Sequence, residues 1–217
     1  MAAKQANVVA RIKQIQSEGV EAIARGNIAP FEGFTPEFLG DQCGVFARYT
    51  AQSESTCLSM LRPLVENIEQ ESNSELFMVG RDFRLHTTVM NATGPKEAFE
   101  TFKQKVVPSL PTLEGLEVEF TRLIADKSVI ILCAEYVPDE VRNMREILWE
   151  EFAECGLKPK AIADIFHCTI SRMMKVGNKL DVYRDRVHIG DTTFSESPIV
   201  LKIEHARFSP AMDLFTM

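Results

Sequence analysis

Apolar positions recur at helical spacing over residues 3–25, where Val8, Val9, Ile12, Ile15, Val20 and Ile23 form one stripe. The spacing predicts an amphipathic helix, stopped by Gly26-Asn27 with Pro30 beyond it. Residues 31–40 then form an aromatic-rich loop containing Phe34. It reads first as a packing strap, with a lid or a dimerisation arm as the other readings.

From residue 44 the pattern runs through strand, helix and strand twice. The first copy has an apolar strand over 44–49, a helix over 55–71 carrying Leu58, Met60, Leu61, Leu64 and Ile68, and a strand over 83–90. The second has a strand over 129–134 and a helix that starts near Pro138, Asp139 and Glu140. That helix runs through Val141, Met144, Ile147, Leu148 and Phe152 to a stop at Gly156, and a strand over 165–171 closes the copy. A helix over 96–106 and a strand over 116–123 lie between the copies. A short helix over 179–186 and a last strand over 199–208 follow them. Interleaved elements in two related halves predict an α+β protein. No Gly-, Ser- or Pro-rich linker separates the halves, so residues 41–217 are expected to form one bilobal domain. Residues 1–40 are then an N-terminal helix and loop extension.

The two closing strands carry the candidate chemistry. Alternation puts residues i and i+2 on one face of a strand. His86 therefore projects with Thr88 and Arg84, and His167 projects with Thr169. Leu85, Thr87 and Val89, like Phe166, Cys168 and Ile170, face the other way and suit a core. The chain has four histidines. Two of them with a hydroxyl at +2 and an apolar residue at +3 would arise by chance in about one or two sequences per hundred. Imidazoles titrate near neutrality and can divide acid and base work across a phosphate, while hydroxyls can donate to its non-bridging oxygens. No carboxylate cluster suited to magnesium accompanies them, so neither a metal nor another cofactor is expected.

Charge narrows the partner. A net charge of −7 argues against long nucleic acid held by a general electrostatic footprint. Yet Arg81, Arg84, Arg172, Lys175 and Lys179 cluster around the two histidine strands, which suits a small phosphate ester. Strict alternation turns Arg172 away from His167, so a site role for it requires a bend in the strand. Five cysteines without a CxxC pair read as buried free thiols. Cys168 points away from the histidine it follows. No apolar run of about 18 residues is present, and the first residues lack the apolar core of a signal peptide. No membrane association and a cytoplasmic location are expected.

His86-Thr87-Thr88-Val89 and His167-Cys168-Thr169-Ile170 resemble the tandem H-x-T/S-apolar motifs of the 2H phosphoesterase superfamily. That group includes bacterial 2′-5′ RNA ligase-like proteins, cyclic nucleotide phosphodiesterases and the 3′-end trimming enzyme of spliceosomal RNA. The resemblance spans residues 43–208 in element order and is closest over 129–172, where Arg172 matches an arginine found after the second motif in many members. The first motif continues Met90-Asn91-Ala92 where RNA ligase-like members carry an aromatic residue and Leu-Gly, and residues 1–40 extend beyond the usual start. The resemblance implies two pseudo-symmetric strand–helix–strand halves around a central cleft. It implies attack on a 2′,3′-cyclic phosphate or a 2′-5′ phosphodiester of a nucleotide or RNA end. His167 would act as base, His86 as acid, Thr88 and Thr169 as phosphate binders, and Arg84 and Arg172 as candidate substrate contacts. A non-catalytic nucleotide- or phosphate-binding module of the same fold is the alternative.

Overall fold

The computed structural model describes residues 2–33, 41–79, 83–160 and 165–211. Helix α1 (Ala2–Ala24) ends where Gly26 takes a φ of 67°. The amides of Gly26 and Asn27 then bond back to the carbonyls of Ile23 and Ala22, closing the helix as its sequence predicts. Its buried stripe is Val8, Ile12, Ile15, Ala22 and Ile23, whereas Val20 faces outward at 37% exposure. Gly19 replaces Val20 at the contact, because a Cβ there would stand 2.0 Å from the Ala125 carbonyl oxygen. Backbone approach this close fixes α1 against the sheet. Gly19→Ala is expected to lower stability by about 1–3 kcal/mol through overpacking, read as a fall in urea midpoint at unchanged slope.

Strand β1 (Gln42–Tyr49) leads into α2 (Ala51–Ser72), capped by the Thr50 hydroxyl, and then into β2 (Glu75–Met78) and β3 (His86–Thr93). The buried face of α2 is Cys57, Leu61, Val65 and Ile68, rotated from the expected stripe so that Met60 is exposed. After α3 (Lys96–Lys105), the strand expected over 116–123 is two strands: β4 (Glu117–Phe120) and β5 (Arg122–Asp126). They break at Thr121 because they pair with opposite ends of the sheet. Strand β6 (Val129–Ala134), α4 (Asp139–Glu154), β7 (Lys158–Lys160) and β8 (Phe166–Lys175) repeat the order of the first half. Helix α5 (Leu180–Glu196) runs ten residues beyond the expected end at 186, and β9 (Ile199–Pro210) closes the chain.

The strands form one antiparallel sheet ordered β4-β9-β1-β3-β8-β6-β5. Its centre is the β3–β8 junction, and the two halves meet there reciprocally. Strand β1 pairs with β3 as β6 pairs with β8, while β2 crosses to β8 and β7 crosses to β3. That exchange is the two-half architecture of the sequence reading, with two short edge strands the hydrophobic pattern did not mark. A contiguous apolar cluster from α1, α2, α3, α4 and α5 covers the core side of the sheet. No described helix is long and apolar enough to cross a membrane.

Candidate active site

Strand β3 begins at His86, and its alternation holds: Leu85, Thr87 and Val89 are buried while His86 and Thr88 are half-buried. Strand β8 alternates likewise, with Phe166, Cys168 and Ile170 buried and His167 and Thr169 half-buried. The two strands are joined at the pair Thr87–Cys168. Continuing that antiparallel ladder one residue each way sets His86 opposite Thr169 and Thr88 opposite His167. Each imidazole thus stands beside the other motif's hydroxyl. The histidines lie on a diagonal, a separation of about 7–8 Å between strand neighbours of this kind, which leaves room for a phosphate.

The core side is locked. Tyr49 is fully buried and its hydroxyl hydrogen-bonds to the Thr87 hydroxyl. Burial pushes the Cys168 thiol well up, away from any thiolate role. Cys43, Cys57 and Cys133 are also buried, whereas Cys155 is only half-buried, on the outer end of α4. Of the aromatic residues that could stack on a base by type, Tyr49 and Phe166 are core residues, and Phe46 is buried on the histidine face. Phe34 and Arg81 lie outside the described residues.

Arg172 returns to the histidine face through a bulge. In β8, Thr169 pairs with Ile131 but Ser171 pairs with Ile130, so Ile170 is one residue too many for its partner strand. The alternation resets: Ser171 turns into the core and Arg172 comes round with Thr169. Its guanidinium lies 4.8 Å from the Phe31 ring centre, and the Phe31 amide bonds to the Met173 carbonyl. Phe31 in turn meets Phe77 at 6.3 Å. The segment before residue 34 therefore braces Arg172.

Arg84 is placed differently. It precedes β3, so strand alternation does not govern it. Its guanidinium bonds to Glu54 at 3.0 Å, to Glu204 at 3.0 Å and to the Tyr49 carbonyl. Glu54, buried in the first turn of α2, also accepts from the Leu85 amide at 2.6 Å. This cluster fixes the entry of β3 and so the height of His86. Lys175 and Lys179 are exposed at the far end of β8 and the start of α5.

Two arginines that the sequence reading passed over also act on the histidines. Arg48 on β1 pairs directly with His86. Arg145, from the apolar-striped helix α4, donates to the carbonyls of Val89 and Ile165, both at 2.9 Å. Those carbonyls belong to the two motif strands just where they diverge, so Arg145 ties the strands together.

Both imidazoles are held neutral at pH 7. Burial pushes the His86 pKa down to about 4, and Arg48 and Arg172 add to the effect. Burial also pushes His167 down to about 4, with Arg145, His86 and Arg172 acting in the same direction. The His86 Nδ1 lies 3.4 Å from the Arg84 carbonyl oxygen, so in the neutral ring Nδ1 carries the hydrogen and Nε2 the lone pair. Removing Arg145 should show on two readouts. Arg145→Met leaves two carbonyls without their donor, costing about 1–3 kcal/mol, and it moves the His167 titration up from about 4, seen by NMR.

No family model matches the chain, and no curated relative matches it. Solved structures do. Usb1 of Kluyveromyces marxianus aligns with a TM-score of 0.51 at 10% identity, over 78% of this chain and 94% of that one. A conserved protein of unknown function from Agrobacterium tumefaciens aligns with a TM-score of 0.50 at 15% identity, over 87% and 91%. The PDE domain of MHV ns2 aligns with a TM-score of 0.41 at 11% identity, over 62% and 85%. The likeness is one of fold.

Proposed function

We propose that this chain, whose fold is the 2H phosphoesterase fold, is a metal-independent phosphoesterase. Its substrate is a 2′,3′-cyclic phosphate or 2′-5′ phosphodiester of a nucleotide or RNA end. The observation that carries the reading is the meeting of two His-x-Thr pairs on one face of adjacent antiparallel strands, with Arg172 brought beside them. In hydrolysis of a cyclic phosphate, His167 takes a proton from water as the water oxygen bonds to phosphorus. The bond from phosphorus to one ribose oxygen breaks, and His86, as imidazolium, protonates that oxygen. Thr88 and Thr169 donate to the non-bridging oxygens, and the Arg172 charge offsets the negative charge that builds there. Ligation would exchange the two histidine roles. Arg84 braces the strand entry, and Arg48 adjoins His86.

The direct test is turnover of adenosine 2′,3′-cyclic phosphate by the purified protein with and without EDTA, followed by 31P NMR. Equal turnover in both is expected. Binding of the nucleotide with no turnover of it or of 2′-5′-linked dinucleotides would instead identify a non-catalytic nucleotide-binding module. The pKa values set the sign of the pH dependence. Work divided between acid and base requires one imidazole protonated, and with both near 4 that population shrinks as pH rises. Above about pH 5, kcat/KM is expected to fall with a slope of about −1 in log units, the apparent pKa values belonging to the pair. A profile flat from pH 5 to 8 would contradict it.

A further inference from the structure

The histidine face does not end at β3. Antiparallel partners share a face, and the register carries that face outward over two more strands. His86 pairs with Arg48 on β1, and Arg48 pairs with His205 on β9. Thr88 pairs with Phe46, and Phe46 pairs with Arg207. The Phe46 ring stands edge-on to His86 at 6.0 Å, which confirms that these rows lie on the catalytic side. Phe46 itself is buried, so it forms the floor, and the polar groups left above it are Arg48, His205 and Arg207.

We propose that Arg48, His205 and Arg207 form a second phosphate subsite, which takes a non-scissile phosphodiester of a single-stranded oligonucleotide whose end lies between His86 and His167. The inference rests on the reading of the histidine pair as a phosphate site and extends it to a substrate longer than a mononucleotide.

Charge supports it. The acidic side chains acting on Arg48 are Glu54 and Glu204, and both bond to the Arg84 guanidinium. Glu204 also lies 3.7 Å from the His205 Nδ1. Among the described residues, Arg48 and Arg207 form no salt bridge. Burial and then the neighbouring cations Arg84 and Arg207 push the Arg48 pKa down, and burial and Arg207 do the same to His205. Cations that crowd one another in this way, with both nearby carboxylates already bonded to Arg84, gain from a further anion. Spacing supports it too. Strands lie about 4.8 Å apart, so the subsite begins one strand from His86 and ends two strands from it, within reach of the phosphate next to the scissile one. A patch this small on a chain of net charge −7 fits a short strand end.

The test is calorimetric binding of adenosine 3′-phosphate and of triadenylate ending in a 3′-phosphate, to the wild-type chain and to Arg207→Gln. Wild type should bind the triadenylate roughly tenfold more tightly. Its affinity should fall more steeply with salt, by about 0.7 in log–log slope for each added phosphate contact. Arg207→Gln, altered at an exposed position, should shrink that affinity ratio to less than half, and Arg48→Gln should shrink it as well. Equal affinity of wild type for the two ligands, or a ratio unchanged in both variants, overturns the subsite. Turnover is not read here, so a chain that hydrolyses nothing yet keeps the affinity ratio loses the catalytic reading alone. Binding of neither ligand overturns both.

Discussion

Replacing His167 or His86 with alanine is expected to lower kcat on a 2′,3′-cyclic nucleotide by about 10²–10⁴-fold. Each imidazole is assigned one proton transfer of its own, and the arginines that act on them, Arg48, Arg145 and Arg172, stay protonated and cannot take that transfer over. Because the two transfers belong to one displacement, the double variant should fall little below either single one. The fold should survive both changes. His167 and His86 are half-buried on the open side of the sheet, while Leu85, Thr87, Phe166 and Cys168 hold the core side. His86→Ala gives up the contact with the Arg84 carbonyl and with the edge of Phe46 on that open side. Steady-state rates, with circular dichroism to confirm folding, check this. Rates within about threefold of wild type in both variants would remove the histidines from the chemistry.

What the sequence made legible was what is local. Alternation over His86–Val89 and His167–Ile170 is a property of each strand alone, and it held on both. The repeat of strand, helix and strand was legible for the same reason, since periodicity reports one element at a time. The pairing of β3 with β8 joins residues far apart in the chain and has no local signal, although the repeat gave a reason to expect it. Arg48 became a neighbour of His86 only through the β1–β3 register. Arg145 lay in a stripe of packing residues, and nothing in a helical period says that its guanidinium ends on two strand carbonyls. Arg84 was placed by alternation that begins two residues too early, because Glu54 holds Arg84 and the Leu85 amide outside the ladder. Residues 116–123 read as one strand because the break at Thr121 is dictated by partners at opposite ends of the sheet.

The bulge at Ile170 is the sharpest of these non-local features, and it governs the remaining large effect. Without it, Arg172 would point into the core, where Ser171 now lies fully buried. With it, the guanidinium acts on both imidazoles and rests on the Phe31 ring. A fixed cation facing the non-bridging oxygens meets charge as it develops, so Arg172→Met is expected to lower kcat by about 10²–10³-fold. Lysine should restore part of this, since it keeps the charge and loses the planar fork. Rate alone would not separate this role from simple damage to the strand, but the pH profile does. Arg172 helps hold His86 and His167 down near 4, so its removal raises both values. The slower Arg172→Met variant should therefore hold its kcat/KM to higher pH before the fall begins. A variant that loses rate with the fall at an unchanged pH would mean that Arg172 supports the strand and does not act on the histidines.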